Sequence, residues 1–408
     1  MSWLTRPLSE IADFVLGKML DQAKNRGEPL PYLANVNVRW DGFDLTDLRE
    51  MRFEPHEIAR YGLKPGDIVM CEGGEPGRCA LWKGQRESMM IQKALHRIRP
   101  HACLDSTFLY YAFVNIGRQN RFAPFFTGAT IKHLPREQLA RVPISFPNLQ
   151  EQERISEVLS AYDDLIATNQ RRIALLEDAA RRLYCEWFVH LRFPGNESVP
   201  VKDGVPDGWG KETLASVADV NARSIGARDR PDSVLYIDIS TVSTGHIGEV
   251  TPYAFADAPG RARRRVVHGD VIWSCVRPNR RSYALIWEPD EKLVASTGFA
   301  VLSATGVPFS YLYFTTTTDA FVGHLEQNAT GAAYPAVTAK TFEDAEILVP
   351  AGDTLAAFDH AVLPQLEQTE FLNQQNRVLG KARDLLLPKL MSGQLDVSGI
   401  HLPEEAVA

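Results

Sequence analysis

Arginine and lysine are concentrated in two stretches of this chain, and their chemistry suits a polyanion. Positions 261 to 281 hold seven arginines and a single acid, Asp270. Positions 76 to 99 hold six basic residues and a single acid, Glu87. Such groups bind phosphate oxygens, so we expect a basic face on each half of the chain. An ordinary solvated charged surface is the competing interpretation.

Motifs that would carry catalysis are missing or weak. The NPP-aromatic and DPP-aromatic strings, with which amino-methylating enzymes hold a flipped base, do not occur, and neither does a GxxxxGKS or GxxxxGKT loop. The glycines at 73–77 (GGEPG) do not complete a G-x-G-x-x-G fingerprint and indicate a turn or a DNA-facing loop. We therefore predict no catalytic residue in this chain.

One acidic pattern resembles a nuclease metal site only loosely. Asp270 is followed by Asp290-Glu291-Lys292, but the first half of the chain has Met89 where that lysine should stand. The histidines are isolated from other metal ligands, and we predict no metal site. Five cysteines without a CxxC pair favour buried, reduced thiols: Cys71, Cys79, Cys103, Cys185 and Cys275.

Two segments of the chain repeat each other at a constant displacement of 203 positions. Gly66-Asp67 returns as Gly269-Asp270, and further matching residues are Leu109-Tyr110 with Leu312-Tyr313, Thr127-Gly128-Ala129 with Thr330-Gly331-Ala332, and Pro147 with Pro350. A fixed displacement over some eighty residues indicates two copies of one folding unit.

Each copy mixes short apolar strands with turns. Candidate strands are IVMC (68–71), ALHRIRP (94–100), VLYIDIS (234–240), DVIWSCV (270–276), YALIWE (283–288) and GFAVLSA (298–304). Residues 105–122 and 308–325 are each expected to form a short helix. Each copy is thus predicted to be a mixed, largely β domain.

A long helix is predicted after each copy, with an apolar seam at alternating three- and four-residue steps. In the central helix the seam consists of Ile155, Leu159, Tyr162, Ile166, Asn169, Ile173, Leu176, Ala180, Leu183 and Trp187. In the C-terminal helix it consists of Phe358, Val362, Leu372, Leu379, Leu386 and Leu390. Asn169 would fix the register of pairing, and Pro364 is expected to mark a kink or the start of the second helix. Alternatively, each helix packs only on its own domain.

The order of elements suggests that the two long helices set a fixed distance between the two domains. If the two helices pair antiparallel, about thirty-five residues at ~1.5 Å each span roughly 50 Å. That length would seat two domains on duplex DNA at least one turn apart, a turn being ~34–36 Å. The fold class predicted is therefore α+β, with two similar domains spaced by a coiled coil of two long antiparallel helices. The predicted boundaries are 1–148 and 194–350 for the domains, 149–193 and 351–395 for the helices, and 396–408 for a tail.

Five segments together resemble the specificity subunits of type I restriction-modification systems. They are LKPGDIVMCEGGEPGRCALW (63–82), FTGATIKHLPREQLARVPISFPNLQEQERISEVLSAYDDLI (126–166), RRLYCEWFVHLRF (181–193), VPDGWGKETLASVADV (205–220) and ARDLLLPKLMSGQLDV (382–397). The resemblance covers essentially the whole chain. It departs where the second copy has RPNRRS instead of GGEPGR.

The resemblance implies two target recognition domains, each reading one half of a split double-stranded DNA sequence. It also implies helices that set the gap and bind two methyltransferase subunits, with two motor-nuclease subunits in the full complex. This chain would bind no cofactor; S-adenosylmethionine, ATP and Mg²⁺ would belong to the partner subunits.

Two loops of each domain are predicted to contact DNA, since side chains that reach base edges carry sequence readout while basic residues hold phosphates. The candidates are Glu75, Arg78, Thr127, Thr130 and Lys132 in the first domain, and Arg277, Asn279, Arg280, Arg281, Thr330 and Tyr334 in the second.

Composition is ordinary for a globular protein, at 45% hydrophobic and 23% charged residues, and the net charge of −7 does not exclude a polyanionic partner because local patches govern association. No apolar run suits a membrane span and the N-terminus does not resemble a signal peptide, so we expect a cytoplasmic protein. Two alternatives stay open: a self-sufficient DNA methylase or nuclease, and a coiled-coil scaffold that never touches DNA.

Overall fold

The computed structural model describes residues 3–22, 25–226, 228–229 and 231–397 of the chain. It divides into two compact units. The first unit comprises Met1–Thr168 and Gln375–Ala408, and the second comprises Asn169–Gln374. Each unit therefore contains one predicted domain and part of both long helices.

Strands of the first unit form three sheets. They are β1 (Leu4–Pro7), β2 (Ala12–Leu16), β3 (Glu28–Leu33), β4 (Arg49–Phe53), β5 (Ile68–Cys71), β6 (Cys79–Leu81), β7 (Met90–Ile91), β8 (Leu95–Pro100) and β9 (Pro143–Phe146). The main sheet is antiparallel in the order β2-β8-β5-β6, and the others have the orders β4-β3-β7 and β1-β9. All four residues of β5 are buried, as expected for an apolar strand inside a sheet.

Helices of the first unit are α1 (Leu8–Ile11), α2 (Pro55–Tyr61), α3 (Ser106–Arg118), α4 (Arg136–Leu139) and the first part of α5 (Leu149–Tyr184). The N-terminus of α3 is capped by Asp105, whose carboxylate accepts a hydrogen bond from the Phe108 N–H at 2.8 Å. Apolar residues of α3, α5 and the main sheet, including Phe108, Ile68 and Ile155, form one core cluster.

Strands of the second unit follow the same plan. They are β10 (Val201–Lys202), β11 (Val205–Pro206), β12 (Gly210–Thr213), β13 (Ala218–Val220), β14 (Ser233–Ile237), β15 (Val242–Ser243), β16 (His246–Ile247), β17 (Thr251–Ala254), β18 (Ala262–Arg265), β19 (Val271–Ser274), β20 (Tyr283–Leu285), β21 (Leu293–Ser296), β22 (Phe299–Ala304) and β23 (Glu346–Val349). The sheets β13-β22-β19-β20 and β12-β23 match two sheets of the first unit. The sheet β17-β14-β21-β18 corresponds to β4-β3-β7 and has β18 as an additional edge strand, and β10-β11 and β15-β16 form two further small sheets.

The second unit contains the helices α6 (Phe309–Thr316), α7 (Asp319–Gln327) and α8 (Ala339–Glu343). It also contains the part of α9 (Gly352–Leu390) that runs to Gln374. Its core is rich in aromatic rings. Phe188 lies 4.9 Å from both Tyr311 and Phe358, measured between ring centroids, and 5.9 Å from Trp209. The segment that contains Phe188 is thus a packed junction between the end of α5 and the second unit.

The single helix expected over residues 308–325 is wrong, because two helices occupy this segment. The break falls at Thr317 and Thr318, where the Thr318 hydroxyl accepts a hydrogen bond from the Phe321 N–H at 3.2 Å and caps α7. Threonine favours this capping position over a helix interior.

The long helices have bounds that differ from the prediction. Helix α5 ends at Tyr184 and is followed by a π-helical turn, Cys185–Val189, rather than running to 193. Helix α9 begins at Gly352, so Pro364 lies within it and does not start it. Pro364 and His360 are exposed, so the His360 carbonyl that lacks a proline N–H partner can bond to water.

The seam positions face inward on both helices. All are buried or half-buried: Ile155, Leu159, Tyr162, Ile166, Asn169, Ile173, Leu176, Ala180 and Leu183 on α5, Trp187 in the π-helical turn that follows it, and Phe358, Val362, Leu372, Leu379, Leu386 and Leu390 on α9. Leu165, Leu175 and Val378, which lie outside the seam, are more than half exposed. The heptad pattern therefore separates the covered face from the open one.

Within each unit, a long helix packs on both its domain and the other helix. In the first unit, Ile155 and Leu159 of α5 share a core cluster with Leu387 and Leu390 of α9 and with the domain. In the second unit, Ala180 and Tyr184 of α5 share a cluster with Leu355 and Phe358 of α9. Packing of the helices on each other and packing of each helix on a domain, the two alternatives that the sequence left open, are thus both observed within the units.

The cysteines are free thiols, but the expectation that all are buried is wrong. Cys71 and Cys79 are buried, Cys185 and Cys275 are half-buried, and Cys103 is exposed. Burial raises the pKa of Cys275 to about 11, which keeps this thiol protonated at neutral pH. Among the described residues, no helix is long and apolar enough to cross a membrane.

Candidate nucleic-acid interface

Backbone pairing joins the two predicted DNA-contacting loops of the first unit. The loop at 127–133 closes on itself, with hydrogen bonds of 2.8 and 2.9 Å between the backbones of Thr127 and His133. The next residue, Leu134, donates its N–H to the Glu72 carbonyl at 2.8 Å, at the start of the turn that contains Glu75 and Arg78. The sequence predicted the two segments separately, and the fold brings them together.

The same pairing recurs in the second unit. Thr330 and Ala336 exchange two backbone hydrogen bonds of 2.9 Å, and Val337 donates its N–H to the Cys275 carbonyl at 2.9 Å. Each bond matches one in the first unit at a displacement of 203 residues. The repeat therefore preserves the backbone contact between the loops, not only the residue types.

Glycine is required in both copies of the Thr-Gly-Ala motif. Gly128 has φ of +90° and Gly331 has φ of +100°, a region that residues with a Cβ rarely adopt. A Cβ at Gly128 would lie 2.2 Å from the Ile131 carbonyl oxygen, and one at Gly331 would lie 2.9 Å from the Tyr334 carbonyl oxygen. The motif is therefore a turn former that presents the residues after it.

Side chains of the loop at 127–133 are open to solvent. Thr127, Thr130 and Lys132 are exposed, as a contact surface requires. Ile131, which the sequence interpretation did not single out, is 66% exposed. The loop thus offers hydroxyl groups, an ammonium group and a branched aliphatic side chain.

Glu75 and Arg78 bond to each other and to a neighbouring loop. Arg78 donates to the Glu75 carboxylate at 2.6 Å and to the Asn35 carbonyl at 2.9 Å, and its side chain is only 17% exposed. The Trp40 indole N–H donates to Glu75 at 2.7 Å. Arg78 therefore holds the turn in place, while the Glu75 carboxylate, 51% exposed, still faces solvent.

Sequence reasoning missed the loop that contains Asn35 and Trp40. It contacts the Glu75 turn through the bonds to Arg78 and Glu75, and its Val36 side chain is 61% exposed. No charge run or repeated motif marks this loop in the sequence, so only the long-range hydrogen bonds identify it.

The second unit replaces the first unit's glycine turn with arginines. Arg277 and Arg281 have φ of +54° and +53° and flank a 3-10 turn, Pro278–Arg280. Left-handed backbone at a residue other than glycine costs about 1–3 kcal/mol and is concentrated at functional sites. Asn279 and Arg280 are exposed at this turn.

Two of these arginines have partners within the unit. The Arg277 guanidinium lies 4.6 Å from the ring centre of Tyr334, which is 68% exposed. The backbone N–H of Arg277 donates to the Pro335 carbonyl at 2.7 Å. Arg281 donates to the exposed Asp319 carboxylate at 2.6 Å. The cation–π contact joins the arginine turn to the Thr330–Tyr334 loop.

The repeated Gly-Asp motif is structural in both units. Asp67 and Asp270 are each 1% exposed and accept the N–H of the residue three positions earlier, Lys64 at 2.7 Å and Val267 at 2.8 Å. Asp270 also accepts hydrogen bonds from Arg223 at 2.8 Å and Ser303 at 2.7 Å. These contacts favour the strand-turn interpretation of Asp270 over the nuclease pattern.

Residues 2–178 match the family model for the type I restriction modification DNA specificity domain. Two curated relatives from Methanocaldococcus jannaschii are similar along most of the chain. The type I restriction enzyme MjaIX specificity subunit is 24% identical over 344 residues, which is 81% of this chain and 78% of the relative. The MjaVIII specificity subunit is 20% identical over 346 residues, 82% of this chain and 80% of the relative. The chain is thus similar to type I specificity subunits along most of its length, and its first 178 residues include the match to the specificity-domain model.

A solved structure shares the fold of this chain. The crystal structure of the S subunit of a type I restriction-modification system from M. genitalium superposes with a TM-score of 0.57 at 15% identity, and 96% of each chain is covered. The fold of mixed domains and long helices is therefore similar to that of this solved S subunit.

The arginine run at 261–265 lies on and beside the extra strand β18. Arg261 is 3.7 Å from the Asp238 carboxylate, Arg265 is 3.6 Å from Asp229, and Arg264 donates to the Ser224 hydroxyl at 3.1 Å. Acidic residues from outside the 261–281 segment thus offset part of its positive charge. Counting the charges within that segment alone did not reveal these acidic partners.

One histidine lies directly beneath the first unit's loops. His96 is fully buried, and its Nε2 is 2.9 Å from the carbonyl oxygen of Leu134. Burial lowers the pKa of His96, so the ring is neutral and Nε2 donates to this carbonyl. The corresponding position in the second unit is Phe299.

Among the described residues, one group has the spacing of metal ligands. The donor atoms of Glu54, His56 and Glu57 lie within 4.8 Å of one another at the start of α2. The Glu57 carboxylate already accepts from the Lys18 ammonium at 2.5 Å and from the Glu54 N–H at 2.9 Å. These hydrogen bonds account for the position of Glu57, which caps the N-terminus of α2 and forms a buried ion pair with Lys18.

Proposed function

We propose that this chain is a specificity subunit that recognises a split DNA sequence for a type I restriction-modification complex and catalyses no reaction itself. Each unit would read one half of the target. The observation that carries the proposal is the paired loops, built on the same backbone hydrogen bonds in both units and carrying different side chains. One scaffold with two sets of exposed side chains suits the reading of two different half-sites.

The exposed groups supply both kinds of contact that sequence readout needs. Arginine pairs with guanine O6 and N7, and asparagine pairs with adenine, while basic side chains hold phosphates. Asn279 and Arg280 in the second unit and Thr130 and Lys132 in the first are exposed for such contacts. Glu75 can accept a hydrogen bond from a cytosine amino group.

The long helices would set the gap between the half-sites. They contain 36 and 39 residues, and 36 residues correspond to about 55 Å of helix. Such a length exceeds one turn of duplex DNA, ~34–36 Å, which fits two half-sites separated by unread base pairs.

Two methyltransferase subunits would dock on the open faces of these helices. Leu175 of α5 and Val378 of α9 are 68% and 66% exposed, and they occupy matching positions of the repeat. Large exposed apolar side chains at matching positions suit two copies of one partner. Motor-nuclease subunits would join in the full complex, and S-adenosylmethionine, ATP and Mg²⁺ would bind to the partners. A complex that acts on chromosomal DNA would work in the cytoplasm.

Binding assays with labelled duplex test the proposal. The chain is mixed with a pool of randomised duplexes, alone and together with the co-expressed methyltransferase subunit, and bound sequences are recovered. We expect enrichment of a two-part sequence with a fixed gap in the presence of the methyltransferase subunit. Turnover of DNA by the pure chain with methyl donor or Mg²⁺ would favour a self-sufficient enzyme, and no enrichment with either sample would favour a scaffold.

A further inference from the structure

We infer that the two units read half-sites of different base class, with guanine in the half read by the second unit and thymine methyl groups in the half read by the first. This inference rests on the proposed function and adds the chemistry of each half. It follows from what stands at matching positions of the two loop pairs.

The turn of the first unit has no room for side chains at two positions. Gly74 and Gly77 have φ of +80° and +90°. A Cβ at Gly74 would lie 2.8 Å from the Asn35 amide nitrogen, and a Cβ at Gly77 would lie 2.8 Å from the Phe122 ring. Any residue larger than glycine would therefore collide with these neighbours.

The matching positions of the second unit are Arg277 and Arg280. Arg277 lies against the Tyr334 ring, whereas Arg280 is exposed at the end of the 3-10 turn. An exposed guanidinium on a turn fixed by backbone bonds can donate two parallel hydrogen bonds to guanine O6 and N7, the commonest specific arginine contact in the major groove. Its counterpart in the first unit, Gly77, cannot make that contact.

In the first unit, the arginine of the Glu75 turn, Arg78, is not available at the surface. Arg78 donates to Glu75 and to the Asn35 carbonyl and is largely covered. The loops that bond to this turn expose two branched aliphatic side chains, Val36 at 61% and Ile131 at 66%, beside the polar side chains of Thr127, Thr130 and Lys132. Apolar side chains distinguish thymine in the major groove by contact with its C5 methyl group.

The second unit does not repeat this apolar pair. In the corresponding 3-10 turn, Ile239–Thr241, the exposed polar residue Ser240 takes the place of Val36, and the position matching Ile131 is Tyr334. At these matched positions, the second unit thus exposes the Arg280 guanidinium, and the first unit exposes the aliphatic side chains of Val36 and Ile131.

Chemically altered bases test the inference in the complex of the chain with its methyltransferase subunit. The preferred two-part sequence is first selected from randomised duplexes with the wild type, with Arg280→Ala and with the double variant Val36→Ala/Ile131→Ala. The half whose selection is relaxed by Arg280→Ala is assigned to the second unit, and the half relaxed by the double variant is assigned to the first. Leu4→Ala, which removes a 55% exposed side chain of the first unit, is the matched control.

Affinity is then measured by fluorescence anisotropy on the selected duplex. Replacing thymine by uracil in the first unit's half removes only the methyl groups and should weaken wild-type binding about fourfold per contacted methyl, from the burial of one such group. The double variant should bind both duplexes equally. Replacing guanine by 7-deazaguanine in the other half should weaken wild-type binding about tenfold, and Arg280→Ala should lose that difference.

The outcomes separate this inference from the proposed function. No sequence enrichment by the complex would overturn both. Enrichment of a two-part sequence whose first half lacks thymine or tolerates uracil, or whose second half lacks guanine, would overturn the inference and leave the proposed function standing.

Discussion

Arg99 holds the buried carboxylate of Asp67 with two hydrogen bonds of 2.7 Å, one from Nε and one from Nη2. The second unit makes the equivalent pair differently, since Asp270 is held by Arg223, which follows β13 rather than lying on β22. Both pairs fix the turn that leads into the central strand of the main sheet. The acid is thus repeated in sequence, while its partner is not.

Asp67→Ala should lower the free energy of unfolding of the first unit by about 2–4 kcal/mol, because it removes charge-assisted hydrogen bonds from a buried site. Asp270→Ala should act similarly on the second unit. Hydrogen exchange resolved by unit and chemical denaturation measure these losses. Asp178→Ala removes an exposed ion pair with Arg182 and should cost under about 1 kcal/mol. Equal effects of Asp178→Ala and Asp67→Ala would contradict this account.

Arg280→Ala and Arg281→Ala should each weaken DNA binding and reduce the salt slope of the logarithm of affinity by up to about 1, because each removes one positive charge from the DNA interface. The measurement is a titration of the complex with duplex DNA at several salt concentrations. Arg192→Ala is the charge-matched control, since Arg192 is 68% exposed and pairs with Glu186 outside the loops. Unchanged affinity and slope would remove both arginines from the interface.

His96→Phe should remove an acid-dependent loss of stability in the first unit. Burial lowers the pKa of His96 below its ordinary value of 6.5. As the pH falls below about 6.5, the unfolded chain binds a proton that the folded chain excludes, so stability present at neutral pH is lost in acid. Phenylalanine occupies the matching position, 299, in the second unit.

The test compares the free energy of unfolding at pH 7.5 and pH 5.5 for the wild type and His96→Phe, after circular dichroism shows that the variant is folded. We expect a smaller difference between the two pH values in the variant. If the variant loses as much stability in acid as the wild type, His96 does not carry this dependence.

Leu175→Arg and Val378→Arg should leave the isolated chain folded, since both side chains already face solvent. Each single substitution should reduce the number of bound methyltransferase subunits from two to one, and the double substitution should abolish binding, because a charge replaces apolar contact. Native mass spectrometry counts the subunits. Val201→Arg, at another exposed apolar residue, is the control. Two subunits still bound by the double variant would place the docking surface elsewhere.

Local sequence signals predicted the elements that depend on neighbouring residues. Ile68–Cys71 and Val271–Ser274 are strands because a run of four or three apolar residues, respectively, follows a Gly-Asp turn, and the heptad pattern marks the covered faces of both long helices. The Thr-Gly-Ala motif marked loops whose glycine conformation the structure then explains. These features follow from periodicity and turn chemistry alone.

Long-range contacts could not be predicted. The bonds from Trp40 to Glu75 and from Arg78 to Asn35 join residues 35 and 43 positions apart, and they turn an expected DNA contact at Arg78 into a largely covered side chain. The break at Thr317 depends on whether Thr318 caps a helix or continues one. Pro364 is tolerated inside α9 because its side of the helix faces water.

Mapping of methylated adenines by single-molecule sequencing, in cells that express this chain with its methyltransferase subunit, tests the central claim most directly. The account predicts one motif of two short specified parts separated by a fixed number of unread base pairs. Substitutions in the loops of one unit should alter only one part. A continuous motif, or a motif whose two parts both change with either unit, would contradict it.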